Sequence, residues 1–156
     1  MRYLIASFLI FVTLAVTSQV KLYRGDSNFD SELAYTIQNG FVYHGDMTFN
    51  RKVIFTISEN KIYLGQSTSS FDCLYTCTDK QVYRGESKFS SDLIYTIEEG
   101  KVYRGNTTFS TNCILTLDDN KIYMGDSNFS SDILFTVTGL NTEITLAILA
   151  CIVGPY

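Results

Sequence analysis

The sequence predicts an all-β protein made of six tandem β-hairpin repeats of twenty residues each. Three observations carry this expectation. Tyr, Gly and Thr recur at a fixed spacing of twenty, each unit holds two short runs rich in β-branched and aromatic residues, and tight-turn dipeptides separate one run from the next. The units begin at Lys21, Phe41, Lys61, Gln81, Lys101 and Lys121, without insertion or deletion.

A segment of different character stands ahead of the repeats. Arg2 is followed by a mainly apolar run from Leu4 to Val12, then Leu14, Ala15 and Val16, with small residues up to Ser18. A basic start, an apolar centre and a small-residue end are the build of a secretory signal peptide. The run is shorter than the about 20 residues that cross a bilayer. Residues 1–18 are therefore expected to be a signal peptide, and the mature chain is expected to be secreted, periplasmic or on the cell surface. Residues 19–140 form the repeat domain, and residues 141–156 a capping helix and tail.

Within each unit the third residue is Tyr (Tyr23, Tyr43, Tyr63, Tyr83, Tyr103, Tyr123) and the fifth is Gly, from Gly25 to Gly125. The sixteenth is Thr, from Thr36 to Thr136. Val82-Tyr83-Arg84 typifies one strand and Leu93-Ile94-Tyr95-Thr96-Ile97 the other. The loop between them is polar, and its ninth-position Phe is read as a buried anchor. Ser69 replaces that Phe in the third unit, where Phe71 is expected to fill the same hole. Asn39-Gly40, Glu59-Asn60, Asp79-Lys80, Glu99-Gly100 and Asp119-Asn120 suit two-residue turns. That turn length pairs Ile97 with Val102, Thr96 with Tyr103 and Tyr95 with Arg104, and places Leu93, Tyr95, Ile97 and Val102 on the core face.

A lone hairpin is marginal, so the units must join to bury a common core. A β-trefoil would alternate two environments, and no stronger similarity appears at a spacing of forty. An open β-solenoid or hairpin stack is expected, with a closed, propeller-like ring of six hairpins as the alternative. Asn141-Thr142-Glu143 reads as a helix start, and the apolar run from Ile144 to Val153 as a short helix laid over the open end of such a stack.

Composition excludes several functions. A net charge of −4 and a pI near 4.9 argue against nucleic acid and anionic lipid. His44 is the one histidine and occupies a variable strand position, so no Ser-His or Cys-His catalytic set exists. Cys73 and Cys113 stand where other units carry Leu33, Val53, Leu93 and Ile133, and Cys77 where they carry Ile37, Ile57, Ile97, Leu117 and Val137. These cysteines act as small hydrophobes. Cys73 and Cys77, four apart on a strand, are separated by about 13 Å, beyond disulfide reach.

The stretch from Asp26 to Glu32 spaces oxygen ligands like a calcium loop, but an EF-hand would need Gly at Ser31 and a Glu at Ile37. No metal, cofactor or catalytic residue is assigned. An ice-binding reading of the Thr series fails on its flanks, which hold Ile94, Ile114, Glu98 and Asp118. Tyr23 with Arg24, Tyr83 with Arg84 and Tyr103 with Arg104 are the candidate ligand-facing pairs, since Tyr supplies an apolar ring face and a hydroxyl.

Val102-Tyr103-Arg104-Gly105-Asn106-Thr107-Thr108-Phe109-Ser110 and Ser130-Ser131-Asp132-Ile133-Leu134-Phe135-Thr136 resemble the units of uncharacterised bacterial exported tandem-repeat proteins. Those carry Tyr-x-Gly-Asn-Ser-Thr followed by Ser-Ser-Asp-(Ile/Val)-Leu-Tyr-Thr. The resemblance covers residues 21 to 153 and implies no activity. The tails of those proteins are amphipathic with aromatics, whereas Ile144 to Val153 has almost no polar residue. A looser likeness links the units to cell-wall-binding repeats, which build ligand cages from Trp, and this chain has no Trp. The expected function is that of a non-catalytic structural or protein-interaction module of the bacterial envelope. The alternative is a lectin-like module for carbohydrate or cell wall. The expected partner is thus a protein or glycan at the cell surface, with no nucleic acid and no membrane span in the mature chain.

Overall fold

The structure is a computed structural model that describes residues 19–46 and 52–154. The expected signal peptide, Phe49 and the last two residues of the tail lie outside the described residues. The strands are β1 (Val20–Arg24), β2 (Leu33–Gln38), β3 (Phe41–His44), β4 (Val53–Ser58), β5 (Lys61–Leu64) and β6 (Cys73–Cys77). They continue as β7 (Gln81–Arg84), β8 (Leu93–Glu98), β9 (Lys101–Arg104), β10 (Cys113–Asp118), β11 (Lys121–Met124) and β12 (Ile133–Thr138). One helix follows, α1 (Leu146–Val153).

The strands form one closed antiparallel barrel in sequence order, and β1 pairs with β12 to complete it. The expected open stack is therefore incorrect, and the alternative closed ring of six hairpins is the architecture found. The reason is additive geometry. An identical turn and twist at each unit rotates every hairpin by a constant step, and after six steps the free edges meet. Their pairing satisfies backbone groups that an open stack leaves exposed.

The hairpin register follows the turns as expected, with Tyr95 opposite Arg104, Thr96 opposite Tyr103 and Ile97 opposite Val102. Both central residues have positive φ at Asn39-Gly40, Glu59-Asn60, Glu99-Gly100 and Asp119-Asn120. Asp79-Lys80 does not share this geometry. There Thr78 closes the turn instead, its hydroxyl accepting from the Gln81 amide at 2.9 Å.

One face assignment changes. On its other edge each longer strand carries a bulge, seen as a register shift between Val82 and Tyr83. Tyr83 then opposes Leu93, and Ile94 turns inward to pack against the core. The extra residue reverses the alternation that placed Leu93 inside and Ile94 outside.

The lumen is lined in two layers. Near the tight turns, inward residues pair as Leu22 with Val137, Ile37 with Val42, Cys77 with Val82 and Ile97 with Val102. Toward the loops, Tyr35 pairs with His44, Phe55 with Leu64, Tyr75 with Arg84, Tyr95 with Arg104, Leu115 with Met124 and Phe135 with Arg24. A barrel of twelve strands is wider than side chains alone can fill. α1 fills it. Ala147 through Ile152 are all buried and share one cluster with strand residues from around the ring. A helix buried on every side needs no polar face, and this accounts for the uninterrupted apolar run.

The helix is thus a plug within the lumen rather than a lid on an open end. It also begins later than expected. The Asn141 side-chain oxygen accepts from the amides of Glu143 and Ile144, forming a turn, and Thr145 takes the N-cap position. Its hydroxyl accepts from the Ile148 amide at 3.4 Å.

Candidate functional site

Two regions of this frame are open to other molecules: the loops that leave the strands at the fifth-position glycines, and the adjacent barrel mouth.

Each loop turns back over the outer wall. At Gly105 φ is +73°, a left-handed value that glycine tolerates. The hydroxyl of Thr96 then donates to the Gly105 carbonyl at 2.7 Å. The same bond joins Thr36 to Gly45, Thr56 to Gly65, Thr76 to Gly85, Thr116 to Gly125 and Thr136 to Gly25. The Thr and Gly series are therefore two halves of one contact, repeated six times and closing the ring at Gly25.

A second clamp links successive units across the loop. Lys61 meets Glu86 at 2.8 Å, Lys101 meets Asp126 at 2.6 Å and Lys121 meets Asp26 at 2.9 Å. Each carboxylate raises the pKa of its ammonium through that hydrogen bond. Where the first position of a unit is neutral, as in Phe41 and Gln81, the sixth position of the next unit is an amide, Gln66 and Asn106.

The ninth-position Phe is not a buried anchor. Phe29 is 73% exposed, Phe89 and Phe109 75%, and Phe129 70%, while Phe71 reaches 98% and fills no hole. The loop closes on itself through its own hydroxyls and backbone. Ser87 Oγ accepts from the Phe89 amide at 3.0 Å and donates to Asp92. The Asp92 amide donates to the Phe89 carbonyl at 2.9 Å. Phe29, Phe109 and Phe129 are held by the equivalent hydroxyls of Ser27, Thr107 and Ser127.

The expected Tyr/Arg pairs are separated by the barrel wall. Consecutive strand residues face opposite sides. Tyr23 and Tyr103 are buried on the outer wall and Tyr83 is half-buried there, opposite Leu33, Cys113 and Leu93. Burial also pushes the Tyr103 hydroxyl pKa up. Arg24, Arg84 and Arg104 are exposed at the mouth. Tyr75 lies opposite Arg84 and Tyr95 opposite Arg104, although Tyr95 was expected only as a core residue. The signal was present, because the expected hairpin register already set Tyr95 opposite Arg104.

Two recesses open at the mouth in equivalent places of different units. One, of about 590 Å³, is lined by Tyr35, His44, Lys52, Val53, Ile54, Phe55, Leu64 and Gly65. His44 stacks on Tyr35 with ring centroids 5.4 Å apart. The other, of about 410 Å³, is lined by Tyr75, Arg84, Ile94, Tyr95 and Arg104, with Ala150, Cys151 and Gly154 of the helix end at its floor. Burial raises the Tyr75 pKa. Beneath that floor the Cys77 and Cys151 sulfurs approach to 3.8 Å. The contact with Cys77, and then burial, drive the Cys151 thiol pKa upward. In the calcium-like loop, Asp26 is engaged by Lys121 and Ser27 by the Phe29 amide.

Among the described residues no helix is long and apolar enough to cross a membrane. Neither a curated protein nor a solved structure matches the chain. A family model described as 6-fold beta flower protein matches residues 22–150, which takes in all six units and most of the plug helix, and the chain belongs to that family.

Proposed function

We propose that this protein is a non-catalytic interaction module of the bacterial cell envelope, which engages a protein partner through the phenylalanines of its loops. The observation that carries the reading is the repeated outward display of Phe29, Phe89, Phe109 and Phe129, each at least 70% exposed. Exposed aromatic sets of this kind are favoured as contact anchors, and monomers rarely leave them uncovered without a use. The loop hydrogen bonds hold the backbone that carries the rings before contact, which lowers the ordering cost of binding. The apolar segment from Leu4 to Val16 supports an exported location.

Burying one such ring contributes about 1.5–3 kcal/mol, so three together move an affinity by well over tenfold. The test is the partition of the full chain between washed cells and culture medium in a producing bacterium. The triple variant Phe89→Ser, Phe109→Ser, Phe129→Ser changes mainly exposed rings, keeps the backbone amides that the loop hydroxyls bind, and is expected to fold. It should move at least tenfold toward the medium relative to wild type. Equal partition of the folded variant overturns the reading.

A further inference from the structure

We infer that the recess between Arg84 and Arg104 is a binding site for an acidic saccharide, with the arginines taking its acid group and Tyr75 and Tyr95 packing against a sugar ring. This inference is independent of the loop phenylalanines.

Charge is the first line of support. The chain carries 16 acidic side chains against 12 lysines and arginines. Lys61, Lys101 and Lys121 are all held by carboxylates. Arg84 and Arg104 are exposed on neighbouring hairpins, and neither has an ion pair or hydrogen bond among the described residues. Turn carboxylates such as Glu59, Glu99 and Asp119 lie at the opposite end of the hairpins.

Shape is the second. A volume of about 410 Å³ lies within the range that holds a small ligand, with room for one or two sugar residues. Tyr75 and Tyr95 offer ring faces on which the apolar side of a pyranose can lie, beside two guanidinium forks matched to a carboxylate or sulfate. The Tyr75 hydroxyl is a hydrogen-bond donor, and burial moves its pKa further up.

The pattern of variation among the units is the third. Positions three, five and sixteen never change, while the mouth position runs Arg24, His44, Leu64, Arg84, Arg104 and Met124. An invariant frame therefore carries a mouth position that holds four residue types among six units, and only one neighbouring pair of units presents two arginines. This is how a repeat ring acquires one distinct site.

The test is calorimetric titration of the full chain with digalacturonic acid, galactobiose and acetate. Digalacturonic acid should bind, at least tenfold more tightly than galactobiose and more tightly than acetate, with affinity falling as salt is added. Arg84→Gln and Arg104→Gln should each weaken it at least tenfold. Arg24→Gln, three units from Arg84 and two from Arg104 around the ring, should change it less than twofold. Both arginines are exposed, so the variants keep the fold. Absence of heat with millimolar digalacturonic acid, equal binding of galactobiose, or equal effects of Arg24→Gln and Arg84→Gln would each overturn the assignment.

Discussion

A threonine hydroxyl and a glycine carbonyl explain two of the three invariant series in this chain. The glycine permits the reversal of the backbone, and the threonine fixes where the reversed strand end sits. Removing one hydroxyl while keeping the shape leaves a carbonyl without its donor. Thr96→Val should therefore cost about 1 kcal/mol, with the other repeats intact, as measured by urea denaturation. A change below about 0.3 kcal/mol would mean that the bond is incidental. At this scale the sequence was readable in pattern and opaque in cause. Invariance marked Thr and Gly, yet only the loop's return across the wall brings residues nine apart into contact. The Phe series misled for a related reason. An apolar residue repeated every twenty positions looks like core, and nothing local to Phe89 or Phe109 shows that the loop closes on its own hydroxyls instead.

The hairpins were the most legible elements, because a two-residue turn sets both the register and the pairing of Ile97 with Val102. The bulge was not legible. It inserts one residue on the far edge of the longer strand, where no turn fixes the count, and so exchanges Leu93 for Ile94 on the inner face. The helix was correctly expected as short and apolar, but its role depended on a lumen that an open stack lacks. Leu149 is wholly buried in that lumen. Leu149→Ala should cost about 2–5 kcal/mol by removing packed methyl groups from a site the rigid wall cannot collapse around. Scanning calorimetry would show the loss as a lowered Tm, whereas an unchanged Tm would place the helix outside the barrel.

For the molecule as a whole, a spacing of twenty is equally compatible with a stack and a ring, and closure is decided by accumulated twist. One trace of it was written in the chain. Lys121 has its acidic counterpart in Asp26, the sixth position of the first unit, just as Lys61 has Glu86 and Lys101 has Asp126. That correspondence makes sense only when the last unit is followed by the first. Proton binding gives a further whole-molecule expectation. Cys73, Cys151, Tyr75 and Tyr103 are raised above their ordinary values mainly by burial or by the Cys77 contact, and Lys61, Lys101 and Lys121 by their carboxylates. Every one of these groups holds its proton more tightly folded than unfolded, so the unfolded chain loses protons first as the pH rises. Stability present at neutral pH should fall once the pH passes 9.0, the ordinary cysteine value, and continue falling through the tyrosine and lysine ranges. A Tm that stays level or climbs between pH 9 and 10.5 would contradict this.

The position of α1 after β12 also sets a timetable. A ribosome delivers the first edge of the wall well before the twelfth strand that must meet it, and the segment that fills the interior emerges last of these elements. The nascent chain therefore passes through a stage in which its apolar inner surface has no filling at all, and it depends on its surroundings to stay unaggregated until that segment has emerged.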